Sequence, residues 1–89
     1  MAFPGGLVVL SRNGCGLCED MLLELAELEQ AKQIPPVTVL DVDTDAGWAR
    51  QYGLKVPVLL LDGSVICHYT LNSQEVLRLV GRPAAILPR

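Results

Sequence analysis

The chain has 89 residues, 51% of them hydrophobic, and a formal net charge of −3 with a pI near 4.9. That length supports one small packed domain and excludes two, and the acidic balance excludes an electrostatic nucleic-acid or anionic-membrane surface. No run approaches the roughly 20 apolar residues that span a bilayer, and an odd count of three cysteines does not make the disulfide framework of a small secreted domain.

Met1 to Gly6 lacks a basic segment, and the apolar run behind it is too short for a secretory leader, so a reducing cytoplasm is the expected compartment. Leu7-Val8-Val9-Leu10 suits a strand buried on both faces. Ser11-Arg12-Asn13-Gly14 is a turn signal, with Asn13 or Gly14 placed to cap a helix. Cys18, Met21, Leu22, Leu25 and Leu28 then recur at helical spacing, with Glu19, Asp20, Glu24 and Glu27 largely opposite. Pro35-Pro36 is expected to stop that helix.

Val37 to Val42 is rich in β-branched residues and predicts a second strand, parallel to the first across a right-handed crossover. Asp43-Thr44-Asp45 predicts caps for a short helix carrying Trp48, Ala49 and Tyr52, with Gly53 as its C-terminal stop. Val58 to Leu61, behind Val56-Pro57, is a third strand, and Asp62-Gly63 a hairpin turn into Val65 to His68. Asn72-Ser73-Gln74-Glu75 has the layout of a capping box, with Leu71 and Val76 as its hydrophobic staple. The last helix buries Val76, Leu77 and Val80 and ends at Gly81 and Pro83. The expected architecture is α/β, in the order β-α-β-α-β-β-α, as one domain with its core in residues 7–81 and a short tail at 82–89.

Cys15-Gly16-Leu17-Cys18 sits between strand and helix, the setting of a redox dithiol. At a helix N-terminus, unpaired amides and the dipole favour a thiolate on Cys15. Cys18, three residues on, brings its sulfur back under that of Cys15. Cys15 is therefore the expected nucleophile and Cys18 the resolving thiol. Gly14 and Gly16 leave Cys15 open to a bulky disulfide, and Leu17 stands beside it.

The rival reading is half of a zinc site, which needs two further ligands. Cys67 and His68 are the only other soft donors, and as neighbours in a strand they point to opposite faces. No metal is expected. Cys67 alone reads as a packed, inert thiol, and His68 as an unoriented imidazole that would be a proton shuttle only with a partner. Asp41, Asp43 and Asp45 have the alternation of a calcium loop, but the glycine comes one place late and Tyr52 stands where a bidentate Glu belongs. Trp48 reads as packing.

With the C-x-x-C, the element order and Val56-Pro57 in place, residues 7–81 resemble the thioredoxin-fold superfamily, and within it the small bacterial glutaredoxin-like proteins. The stretch from Asp41 to Asp45, and on through Arg50-Gln51-Tyr52-Gly53-Leu54-Lys55-Val56-Pro57-Val58, carries much of that likeness. The resemblance implies a four-stranded mixed sheet in the order 2-1-3-4 and a cis Pro57 facing the dithiol. It also implies that the Val56 backbone is offered to substrate, with Arg12 and Lys55 attracting an anionic thiol such as glutathione. Gly14 and Gly16-Leu17 stand where thioredoxin has Trp and Gly-Pro, and His68 to Asn72 occupies the place of the Gly-Gly-Cys/Ser-Asp signature of glutaredoxins.

The implied activity is thiol–disulfide exchange on protein or small-molecule disulfides, by a monomer that requires no cofactor and can use glutathione as co-substrate. Carriage of a metal or iron–sulfur cluster, or an adaptor without redox turnover, are the alternatives.

Overall fold

Two apolar strands, β1 (Leu7–Ser11) and β3 (Val58–Leu61), form the middle of the sheet in the computed structural model, which describes residues 3–81. The sheet order is β2-β1-β3-β4, with β2 (Val37–Asp41) parallel to β1, β3 antiparallel to β1, and β4 (Ser64–His68) antiparallel to β3. Helices on both faces are what permit positions 7–10 and 58–60 to be apolar without alternation.

Successive side chains on a strand leave opposite faces, and the two cores follow that rule. Leu7, Val9 and Leu59 pack with Met21 and Leu25 of α1 (Gly16–Gln30) and Val76 of α3 (Ser73–Val80). Val8, Leu10, Val58 and Leu60 pack on the other side with Trp48 of α2 (Ala46–Tyr52) and with Val42. Phe3 stacks on Trp48 at 5.0 Å, so the tryptophan is a packing residue. Among the described residues no helix is long and apolar enough to cross a membrane.

The element order and strand order are those expected, and several local expectations change. The first helix ends at Gln30, well before Pro35-Pro36. Lys32 takes a left-handed φ of +59°, Gln33 N–H bonds Leu28 O at 2.9 Å and Lys32 N–H bonds Glu29 O at 3.0 Å. These are the paired bonds of a Schellman stop, made here without glycine. Gly53 closes α2 in a right-handed conformation, φ −57°. Its missing side chain serves close approach instead, because a Cβ there would strike Ala49 O and come within 3.1 Å of the Arg12 guanidinium.

The capping box is half made. Asn72 Oδ1 accepts from Glu75 N–H at 3.1 Å, whereas the Glu75 carboxylate turns away to Arg78 one turn along. The second strand stops at Asp41, whose carboxylate takes the Asp43 N–H at 2.8 Å and starts a short 3-10 turn, Val42–Thr44. Asp45 Oδ1 accepts from Trp48 N–H at 3.0 Å and caps α2, so these aspartates are strand-end and capping groups. Asp62 and Gly63 are both left-handed, as a type I′ hairpin turn requires. Pro83 and the tail from Ala84 to Arg89 lie outside the described residues.

Topology gathers the loops. Since β2 runs with β1, and β3 runs against both β1 and β4, one edge of the sheet holds the C-terminal ends of β1, β2 and β4 and the start of β3.

Candidate redox site at the sheet edge

Gly14 adopts φ +75°, a region L side chains rarely enter, and this turns the chain from β1 into α1. Cys15 follows as the N-cap residue, with extended φ −103° and ψ 108°. Its sulfur accepts a hydrogen bond from Cys18 N–H at 3.1 Å, and its carbonyl accepts from Glu19 N–H at 3.1 Å. A sulfur in the N-cap position meets donors that the helix leaves unused, and such donors favour the anion over the thiol.

The two cysteines form a pair at disulfide distance, with Cα atoms 5.2 Å apart, inside the span a disulfide requires. They differ in access. Cys15 is partly exposed, while Cys18 is only 2% exposed against the α1 core. Gly16 is exposed in the first turn of α1, and Leu17 shows 45% of its surface at the rim. Glu19 in the same turn is a nearby anion and opposes a thiolate slightly.

The Val56–Pro57 peptide bond is cis. One step beyond the Leu10–Val58 pairing places Ser11 opposite Pro57, so the turn leading to Cys15 leaves the sheet beside the proline. Pro57 is buried and its carbonyl accepts from Tyr69 N–H at 2.9 Å. The Val56 side chain packs on the Trp48 core.

Arg12 lies in the same turn and is occupied. Its Nε and Nη2 donate to Asp43 Oδ2 and Oδ1 at 2.8 and 2.9 Å, and its Nη1 donates to Gly53 O at 2.9 Å. The hydrogen bonds from Arg12 hold the Asp43 carboxyl below the usual carboxylate range, and those to Asp43 raise the Arg12 guanidinium in turn. This residue therefore pins the β1–α1 turn to the 3-10 turn and to the end of α2. Lys55, the other cation of the resemblance, is exposed and makes no side-chain hydrogen bond among the described residues.

Cys67 and His68 stand across from Leu59 and Val58, hence on opposite faces of β4. Cys67 is half-buried against the α1 core, and burial pushes its thiol up. Among the described residues no group of three or more His, Cys, Asp or Glu side chains converges as a metal cradle would.

The sequence reading missed Tyr69. It takes a left-handed φ of +70°, donates through its hydroxyl to Leu54 O at 3.2 Å, and walls an open groove of about 450 Å³ that begins at Leu17. Neither a positive φ on tyrosine nor a groove between residues some 50 positions apart leaves a local mark in the sequence.

Residues 6–81 match the glutaredoxin-like domain family (DUF836). The chain is similar to protein Ne2328 of Nitrosomonas europaea, solved in solution by NMR. That likeness has 33% identity and a TM-score of 0.75, over 90% of this chain and 95% of that one. It is also similar to the crystal structure of protein XcR50 of X. campestris, at 25% identity and TM-score 0.62, over 83% of this chain and 93% of that one. No curated protein matches the sequence.

Proposed function

Because the chain belongs to the glutaredoxin-like domain family, with its thioredoxin-like fold, we propose that it is a thiol–disulfide oxidoreductase working through Cys15 and Cys18. The observation that carries this reading is the asymmetry of the pair. An accessible sulfur at the α1 N-cap takes the Cys18 N–H at 3.1 Å, and a buried sulfur lies within bonding reach. A hydrogen-bond donor at the sulfur and the N-terminal end of a helix both favour the thiolate over the thiol.

The Cys15 thiolate attacks one sulfur of the substrate disulfide and expels the other as a thiolate, which takes a proton from water. The bound half is now a mixed disulfide on Cys15. Cys18 gives up its proton and attacks the Cys15 sulfur, releasing the second substrate thiol and closing the Cys15–Cys18 disulfide. Two electrons pass from the dithiol to the substrate, and an external dithiol or two monothiols must return them. Pro57 and Val56 line the approach beside the turn, Gly14 and Gly16 keep it open, and Leu17 and Lys55 border it.

Equilibration in dithiol–disulfide buffers poised from roughly −180 to −320 mV, with mass detection, tests the reading. The expected result is one two-electron closure of Cys15 with Cys18, Cys67 remaining a thiol. Failure of the pair to close anywhere in that range, or closure through Cys67, overturns it.

A further inference from the structure

The groove at Leu17 bears on which disulfides reach Cys15. It runs between α1 and the Tyr69-Thr70-Leu71 connection, with Met21 in its floor and Leu23 on its rim. A second hollow of about 180 Å³ adjoins it at Glu24 and Leu71 and carries it on to Glu27 and Leu28. From Leu17 to Glu27 the helix rises about 15 Å, room for roughly four or five residues of extended chain at about 3.3 Å each.

One edge of this channel is uniformly charged. Asp20, Glu24 and Glu27 line it, at helical spacings that stack them along one face. No Lys, Arg or His lines either hollow. The whole of α1 holds five acids, Glu19, Asp20, Glu24, Glu27 and Glu29, and no base. None of the five takes part in a salt bridge among the described residues, where both arginine pairs lie elsewhere. Like charges three and four residues apart weaken a helix, and no cationic side chain among the described residues forms a salt bridge with the stripe.

At the mouth, Tyr69 is 43% exposed, its hydroxyl bonded to Leu54 O and its ring packed edge-to-face with His68 at 4.7 Å, which leaves part of the ring to solvent. The face of such a ring attracts a guanidinium or ammonium group.

We infer that the channel is the docking site for a basic, extended polypeptide whose own disulfide is thereby presented to Cys15. This deepens the oxidoreductase reading and rests on it. Apolar side chains of the partner settle among Leu17, Met21, Leu28 and Leu71, while its Lys and Arg residues meet the acidic edge and Tyr69. Glutathione disulfide carries more carboxylates than ammonium groups, and a second copy of this chain brings the same acidic face. Both are repelled where a cationic segment is attracted.

The test uses the reduced full chain and four probes. Two are peptides alike in sequence around a mixed disulfide, one flanked by Lys and Arg and the other by Glu; the third is a small neutral disulfide and the fourth glutathione disulfide. The cationic peptide is expected to be reduced about 10-fold faster than the acidic one at low ionic strength, with the gap narrowing as salt rises. In Asp20→Asn/Glu24→Gln the ratio of the two rates should fall toward one, and in Asp20→Lys/Glu24→Lys it should invert. A ratio is read because a change in the Cys15 thiolate fraction acts on both peptides and cancels.

Equal rates for the two peptides with turnover of the neutral disulfide overturn the docking inference alone. So does glutathione disulfide reacting faster than the cationic peptide, or a ratio unchanged in both variants. No turnover of any disulfide overturns the oxidoreductase reading and this inference with it.

Discussion

Arg12 grips Asp43 by two parallel hydrogen bonds, Nε to Oδ2 at 2.8 Å and Nη2 to Oδ1 at 2.9 Å, across 31 residues of sequence. With the bond to Gly53 O, this fixes the turn that delivers Cys15 to the head of α1. Bidentate pairing of this kind adds geometry as well as attraction, and lysine cannot reproduce it.

The pin carries a pH signature. Asp43 titrates below its ordinary value when folded, because Arg12 bonds its carboxylate. A lowered carboxyl stabilises the fold fully above its unfolded value, and that contribution is lost as pH falls through the lower folded value. Amide exchange at Gly53 and Lys55, whose N–H groups donate to Ala49 O and Tyr52 O beside the pin, corrected for intrinsic rates, should therefore show protection at neutral pH that fades below about pH 4. In Asp43→Asn the protection should be lower and nearly flat across that window. Identical acid profiles for the two proteins would contradict the pin.

Lys32 sets the end of α1 from an unfavourable conformation. A non-glycine residue in the left-handed region costs about 1–2 kcal/mol, partly offset in a glycine variant by the greater freedom of its unfolded chain. Lys32→Gly should stabilise the protein by about 0.5–1 kcal/mol, about 2–8 °C in Tm for a domain of this size. Thermal unfolding followed by circular dichroism checks it, and a lower Tm would mean that Lys32 makes contacts outweighing its backbone strain.

Cys67 should be chemically quiet. Desolvation raises its thiol, the bond with the Asn72 backbone opposing only in part, so it holds less thiolate at pH 7 than an ordinary cysteine. Reduced protein treated briefly with iodoacetamide should be alkylated first at Cys15, with Cys67 modified only as pH rises or the protein unfolds. Peptide mapping decides between that order and an early adduct at Cys67.

The parts of this structure that could be read from sequence are those whose cause is local. Leu7 to Leu10 and Val58 to Leu60 are apolar throughout because both faces are covered, and Asp62-Gly63 names its own turn. The dithiol was placed by the strand before it and the helix after it. What escaped depends on partners far along the chain or on residues in unusual conformations. Lys32 and Tyr69 take left-handed backbone without a glycine to announce it. Arg12, which the resemblance linked to an anionic thiol, finds Asp43 and Gly53 only once α2 is folded against the sheet edge. Glu75 had the spacing to complete a capping box, but Arg78 offered it a two-pronged cation instead. The acidic channel needed α1 and the β4–α3 connection side by side before it existed.

The division of labour between Cys15 and Cys18 is the centre of the account, and trapping tests it most directly. Reduced Cys18→Ser is exposed to a disulfide substrate and its mass recorded, beside Cys15→Ser and the unaltered protein. A stable adduct of half the substrate is expected on Cys15 in Cys18→Ser and none in Cys15→Ser. The unaltered protein should return to a closed Cys15–Cys18 pair without an adduct. Equal adducts on the two variants, or an adduct carried by Cys67, would contradict it.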